Sequence, residues 1–347
     1  MHQEYSYSIL LLKSNSRETG KSDIMKTRVP SVRSVVLMIF LTIFTAQSFS
    51  QSVSFAGGKF EVGLGLGPSF FLGDLGGTRG KGKTFIKDLN LPLTKFMKGF
   101  HLNIYPTEWL GFRIAANIGE LEGYDSLIKD HGGAELFRKD RNLDFRSKLQ
   151  EAYAAVEFYP TVFFEQYDGL LHKIRPYGVI GVGVFHFNPQ GKYTAPNGTT
   201  TWVDLQPLHL EGQGMAEYPN RKPYSLTQLE IPMGFGVKYY LKENFYIGFE
   251  VLHRKTFTDY IDDVSTTYID PNLFDYYLTP SQATIAKQMF YKENLVNPNN
   301  RPYLDEQRGD PKQNDAYFST IVRLGWRLGG DRIANGIKRQ LKCPHFY

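Results

Sequence analysis

From residue 59 onward the chain is written in short segments whose large apolar side chains fall on every second position. Residues 59–71 read KFEVGLGLGPSFF, with Phe60, Val62, Leu64 and Leu66 on one face and Glu61, Gly63, Gly65 and Gly67 on the other. A period of two is a β-strand with unlike faces. The pattern recurs. Phe100, Leu102 and Ile104 alternate with His101, Asn103 and Tyr105, and Leu110, Phe112, Ile114, Ala116 and Ile118 alternate with Gly111, Arg113, Ala115, Asn117 and Gly119. Ala152, Ala154, Val156 and Phe158 are set against Glu151, Tyr153, Ala155, Glu157 and Tyr159. Residues 175–187 are apolar on both faces but kept slim by Gly178, Gly181 and Gly183. Leu229, Ile231, Met233, Phe235, Val237 and Tyr239 alternate with Glu230, Gly234, Gly236 and Lys238. Phe245, Ile247, Phe249 and Val251 alternate with Gly248, Glu250 and Arg254. The last segment places Phe318, Thr320, Val322, Leu324, Trp326 and Leu328 opposite Ser319, Ile321, Arg323, Gly325 and Arg327. These eight segments are the expected strands. Each is about ten residues long, the length of a tilted membrane strand.

The connections decide between a barrel and a soluble sandwich. Long segments (72–98, 120–148, 188–227, 255–315) alternate with short or medium ones (106–109, 160–172, 242–244). Long loops on one rim and tight turns on the other are the layout of an outer-membrane barrel. The expected fold is therefore all-β: an eight-stranded antiparallel up-and-down transmembrane β-barrel of outer-membrane type. Closure follows from the solvent, because every unpaired backbone N–H or C=O in hydrocarbon costs several kcal/mol and a closed ring has no edge. Tyr105, Trp109, Phe158, Tyr159, Tyr239, Tyr240, Phe245, Tyr246 and Trp326 gather at the short-turn rim and are expected to form an interfacial aromatic girdle.

The chain begins with an export pattern. The only strongly apolar run, VVLMIFLTIF at 35–44, is too short to span a bilayer as a helix. Lys26, Arg28 and Arg33 precede it; Ala46, Ser48 and Ser50 follow. That is a secretory signal peptide, with Met25 read as the start and cleavage expected near Ser48 or Ser50. The competing reading is an uncut anchor. Three regions are expected: 1–50 as extension and signal, 51–328 as barrel, 329–347 as a basic periplasmic tail. The tail carries four basic residues against one acidic. Whole-chain net charge is only +5, which does not point to nucleic acid. The single cysteine, Cys343, excludes an internal disulfide, a cysteine zinc site and a lipoprotein anchor.

On the inward faces the charges balance: Glu61, Glu151, Glu157, Glu230 and Glu250 against Arg113, Lys238, Arg254, Arg323 and Arg327. An eight-stranded barrel is narrow enough for side chains to fill it, and a buried charge is tolerated when partnered. These ten residues are expected to form a structural network that plugs the lumen.

Other motifs carry less. Residues 77–84, GTRGKGKT, match the phosphate-binding pattern GxxxxGK[ST]. That chemistry needs a helix directly after the loop, and Pro92 interrupts one, so no nucleotide site is assigned. The triplet Arg308–Gly309–Asp310 is read as a turn. Asp259, Asp262, Asp263 and Asp270 lack the spacing of a compact calcium loop and are read as a solvated acidic surface. Of the histidines His101, His131, His172, His186, His209, His253 and His345, none forms HxH or HxxxH, so no zinc site is assigned. Ser69, Ser319 and His253 are present, but no triad spacing joins them. No cofactor is implied, and the chain is read as no enzyme.

Two segments, FFLGDLGG at 70–77 and RGDPKQNDAYFST at 308–320, together with the eight strands and the signal peptide, make the chain similar to the PorG-like family of small outer-membrane barrels found with the type IX secretion system. The resemblance spans about residues 58–328. It implies a non-enzymatic outer-membrane component that meets the periplasmic ring of the secretion machine, with no catalytic residues to carry over. The charged tail departs from that pattern. The expected partners are outer-membrane lipid and periplasmic secretion-ring proteins, with no nucleic acid and no nucleotide. Two alternatives remain open: a small pore or ligand-binding barrel using its long outer loops, and an outer-membrane lipid enzyme.

Overall fold

The structure is a computed structural model, described over residues 60–75, 94–128, 135–164, 170–292 and 302–328. Its strands are β1 (Phe60–Leu72), β2 (Lys95–Ile104), β3 (Leu110–Tyr124), β4 (Asp144–Phe158), β5 (Ile174–Thr194), β6 (Thr200–Asp204), β7 (Thr227–Lys242), β8 (Phe245–Thr256) and β9 (Ala316–Leu328). Eight of them, all but β6, pair antiparallel with their neighbours, and β1 pairs with β9 to close the ring. The closing register runs from Phe60↔Leu328 to Leu72↔Ala316. The result is a closed eight-stranded antiparallel barrel of outer-membrane type. One rim carries the short turns beside Ile104, Phe158 and Lys242; the other carries the long loops.

Two features lie beyond the sequence reading. Strand β5 is 21 residues long and continues past the rim, where β6 pairs with it from Gln190↔Asp204 to Thr194↔Thr200. The long segments also contain helices: α1 (Glu135–Arg141), α2 (Leu273–Tyr277) and α3 (Pro280–Phe290). Helix α3 starts on a capping box in which Gln282 N donates to Thr279 Oγ1 (3.4 Å) and Thr279 N to Gln282 Oε1 (3.3 Å). It buries Ala283, Ala286, Met289 and Phe290 against Leu208, Leu210 and Phe274, so the long-loop rim has a hydrophobic core of its own. No described helix is long and apolar enough to cross a membrane.

The barrel wall is inverted relative to a soluble protein. Leu64, Ile114, Val182 and Phe235 point outward with more than half their surface exposed, while Glu61, Arg113, Glu157, Lys238, Glu250 and Arg254 are buried inside. Charged side chains are almost never fully buried unless paired, and a continuous band of large apolar groups is not left to water. The outer face is built for hydrocarbon.

The aromatic girdle is smaller than the sequence reading has it. Trp109, Phe158, Phe245 and Trp326 do ring the short-turn rim, with Phe245 and Trp326 centroids 5.1 Å apart and Trp109 and Phe158 6.2 Å apart. Tyr105, Tyr159, Tyr240 and Tyr246 instead turn inward and are at most 4% exposed. Their hydroxyls find partners in the lumen that hydrocarbon lacks. Missed from the girdle is Phe163, in the 3₁₀ turn Pro160–Phe164, 5.9 Å from the Trp109 ring.

Ile114 sits in the middle of the outward apolar stretch 110–118 of β3. Ile114→Arg is expected to destabilise the folded barrel by about 2–4 kcal/mol in a urea titration of folding into bilayers, the range for a cation at the midplane of a lipid-facing wall. A change within about 0.5 kcal/mol, usual for an exposed site in water, would remove lipid from the account.

Candidate functional site: a filled lumen beneath a knotted cap

The lumen is filled in tiers. Nearest the short turns, Glu108 accepts from Arg175 (2.8 Å) and Arg327 (2.9 Å). Above it, Lys238 Nζ lies 2.6 Å from Glu61 Oε2 and 3.7 Å from Glu157. Tyr105 and Tyr240 donate to Glu61 at 2.8 and 3.0 Å, and Tyr159 and Asn103 donate to Glu157. The same ammonium faces the rings of Tyr105, Tyr159, Tyr177 and Tyr246 at 4.5–5.6 Å. Desolvated cation–π contacts of this kind contribute about 2 kcal/mol. The rings seat over strand glycines: a Cβ on Gly236 would come within 2.5 Å of the Tyr177 hydroxyl.

In the middle tier, Glu250 bridges Arg113 (2.7 Å) and Arg323 (2.5 Å) and accepts from Tyr177 (2.7 Å). Arg113 also pairs with Glu157, and His101 joins Arg323 (3.0 Å) to the Tyr246 hydroxyl (2.9 Å). In the upper tier Arg254 grips Glu151 at 2.7 and 3.2 Å, and Tyr317 OH lies 2.6 Å from Glu151 and 2.5 Å from Glu230. All ten residues named from the sequence thus point inward and are buried.

Their pairing differs from five against five. Glu230 makes no ion pair among the described residues and bonds to Tyr317 instead. Arg327 pairs with Glu108, which sits in the 105–109 turn, where strand alternation assigns no face. Arg175, buried on β5, shares that carboxylate.

Above the ions the inward face turns apolar. Leu121, Phe145, Leu149, Phe185, Phe187 and Ile321 from the strands close around Leu75, Ile261 and Val264 from the loops. A polar knot then ties the loops together. Arg141 holds Asp125 (2.6 Å) and Arg308 holds Glu211 (2.8 Å). Glu211 also accepts from Ser265 N and Thr266 N, both at 2.9 Å. Asp262 accepts from Leu75 N and Val264 N (3.0 Å each), and Asp315 from Ile261 N (2.8 Å).

This overturns the solvated acidic surface. Asp259, Asp262 and Asp263 are buried, and only Asp270 is partly open. Backbone N–H groups of the folded loops donate to Asp262 and the Tyr224 hydroxyl donates to Asp263 Oδ1 (2.6 Å), partners that composition cannot show. Burial, reinforced by neighbouring carboxylates, pushes Asp259 up to about 8, and burial against the opposing pull of Arg308 pushes Asp263 up to about 7. Asp262 and Asp315 are raised well above the usual carboxylate range, by burial first and then by neighbouring carboxylates, Asp74 and Asp259 at Asp262 and Asp262, Asp259 and Asp74 at Asp315. Arg308 is 3% exposed, so the Arg308–Asp310 triplet serves the knot and does not display its arginine.

The remaining sequence candidates do not converge. Ser69 Oγ donates to the Lys95 and Glu120 carbonyls, Ser319 accepts from Arg254, and neither serine bonds a histidine. No group of three His, Cys, Asp or Glu among the described residues is placed to hold a metal ion. The 77–84 motif, the signal segment, His131, His345, Cys343 and the basic tail lie outside the described residues.

No family model and no curated protein matches the sequence. Among solved structures, the chain is similar to the N-terminal β-barrel domain of Pseudomonas aeruginosa OprF (8% identity, covering 78% of this chain and 98% of that one, TM-score 0.29). It is likewise similar to OprG from the same organism (11%, 78% and 96%, TM-score 0.33) and to a major outer membrane protein from Thermus thermophilus (9%, 77% and 98%, TM-score 0.35). Overlaps this low carry no argument about role, and the barrel stands on its own hydrogen bonding.

Two outcomes follow from the geometry. Glu250→Gln leaves the buried Arg323 without a carboxylate and is expected to cost about 3–5 kcal/mol in a bilayer-folding titration, as breaking a buried pair does. In the cap, Asp259 and Asp263 hold their protons more tightly folded than unfolded. Their contribution is therefore complete at low pH and is lost as pH rises through about 7 and 8. Chemical denaturation followed by cap tyrosine signals should show stability falling from about pH 4, where the unfolded aspartates titrate, to about pH 8 and levelling off above, and the Asp259→Asn/Asp263→Asn double variant should flatten that slope.

Proposed function

We propose that the protein is a non-enzymatic integral outer-membrane barrel, exported by its N-terminal signal, that serves as a structural component of type IX secretion and meets periplasmic ring proteins through its short turns and basic tail. The ten lumen residues act in this reading as a structural plug. The observation that carries it is the filled lumen: three tiers of paired ions and an apolar stopper occupy the space a pore would need. That favours a scaffold over the small-pore alternative.

The link to secretion rests on the sequence resemblance to the PorG-like family. Its two segments meet in space. Phe70 stacks on Phe318 at 4.7 Å, and Asp310 N donates to Asp74 Oδ2 at 2.7 Å. They form the joint where β1 and β9 leave the wall and enter the cap. In the proposed role this joint fixes the loops, while the opposite rim remains for partners.

The test is cross-linking in intact cells followed by affinity capture from detergent extract. Recovery of periplasmic secretion-ring proteins, lost on deleting residues 329–347 or replacing the 242–244 turn, is the expected result. Capture of the folded barrel alone would refute the secretion role, and steady single-channel openings in a planar bilayer would refute the plug.

A further inference from the structure

The outward face of β4 changes character along its length. From the short-turn rim it presents Phe158, Val156, Ala154 and Ala152, then Gln150, Lys148 and Arg146. Ten residues separate Phe158 from Lys148. On a strand tilted by about 40° that is a rise of about 25 Å, the height of the apolar band of a membrane barrel. Lys148 and Arg146 therefore stand where hydrocarbon gives way to headgroups on the long-loop side.

At that level the extension of β5 and the short β6 add a second cation and a ring. Arg146 lies opposite Gln190, which accepts from its Nε at 3.1 Å, and Lys192 lies opposite Trp202. The Arg146 guanidinium is 4.3 Å and the Lys192 ammonium 5.3 Å from the Trp202 ring centroid, and Lys192 is also 4.7 Å from the Tyr124 ring. Two like charges are gathered around one indole.

The nearby carboxylates are engaged elsewhere. Glu122, opposite Arg146 in the β3–β4 register, pairs with Lys95 at 2.8 Å. Glu120, opposite Lys148, lies 3.8 Å from the same lysine. Asp204 accepts from the side-chain amides of Asn188 (3.0 Å) and Gln190 (2.7 Å). Among the described residues no carboxylate forms an ion pair with Arg146, Lys148 or Lys192. Among the described residues the Arg146 Nη groups and Lys192 Nζ thus have no hydrogen-bond acceptor, at a height where the lipid surface supplies phosphate. An arginine fork matches phosphate oxygens, and an indole at headgroup level packs on the neighbouring sugar or glycerol.

We propose that the long-loop rim of β4, β5 and β6 is a binding site for phosphorylated lipid headgroups, with Arg146 and Lys192 as phosphate ligands, Lys148 as the lower contact at the acyl boundary and Trp202 as the wall for the headgroup. The inference rests on the lipid-facing reading of the barrel wall but not on the secretion role.

The test uses the full-length protein folded in zwitterionic detergent, its fold confirmed by the change in gel mobility on boiling. Native mass spectrometry then scores retention of diphosphorylated lipid A against phosphatidylcholine. The expected result is at least a tenfold preference for lipid A, unaffected by millimolar inorganic phosphate. Arg146→Gln/Lys192→Gln should abolish the preference with the gel shift intact. Lys255→Gln, a lone outward lysine on β8, should leave it unchanged. Equal retention of both lipids, full retention by the double variant, or displacement by inorganic phosphate would each overturn a lipid-headgroup site. Loss of the gel shift in the wild-type chain would instead strike the barrel itself.

Discussion

Everything in this molecule depends on one ladder, β1 against β9. Seven of the eight strand contacts join neighbours along the chain, at most with a hairpin inserted, and could exist in an open sheet. The eighth brings Phe60 beside Leu328 and removes both edges at once. In hydrocarbon an open edge would leave a row of backbone donors and acceptors unsatisfied, at several kcal/mol each. Closure is therefore the condition for the fold to exist in lipid at all. It also creates the enclosed lumen in which the charged residues lie.

Once the wall is closed, the distribution of side chains follows. The outside is wetted by acyl chains and takes Leu, Ile, Val and Phe. The inside, too narrow for bulk water, groups its charges with partners, leaving Glu230 Oε1 and the Nε atoms of Arg113 and Arg323 as the exceptions among these ten residues. Lys238 illustrates this: one ammonium is matched by two carboxylates, a tyrosine hydroxyl at 2.6 Å and four tyrosine rings. Glu250 is the complementary case, one carboxylate between two guanidiniums. Buried ion networks are not in themselves evidence of stability, because desolvation offsets much of their attraction. The Arg113–Glu250 pair spans the ring from β3 to β8, whereas Arg113–Glu157 and Arg323–Glu250 tie neighbouring strands, so the network links the wall both across and along its circumference.

The strands were legible in the sequence because a two-sided wall imposes a period of two that nothing else in the chain imitates. All eight barrel strands lie where the alternation puts them, lengthened toward the long-loop rim. The ten inward charges were legible for the same reason. What was not legible belongs to residues outside that period. Glu108 lies in a turn. Arg175 belongs to a strand apolar on both faces, which hides its sidedness. Tyr105 and Tyr159 stand on the inward side of the alternation, and it was their height at the short-turn rim that suggested the girdle; inside, they and Tyr240 donate to Glu61 and Glu157. The cap escaped because helix α3 is short and its Thr279–Gln282 capping signal stands inside a loop-like composition. The aspartates looked solvated because no side-chain pattern announces that the folded loops bury them, Asp262 under main-chain N–H groups and Asp263 against the Tyr224 hydroxyl.

The central claim is that alternate residues of each strand face lipid and a filled interior. It is tested most directly by placing a nitroxide, one residue at a time, along 110–118 of β3 in a Cys343→Ser background and measuring oxygen and nickel-chelate accessibility in bilayers. The account requires oxygen exposure to rise at Leu110, Phe112, Ile114, Ala116 and Ile118 and to fall at Gly111, Arg113, Ala115, Asn117, with the chelate excluded throughout. Chelate access along the whole strand, or an accessibility profile without a period of two, would contradict it.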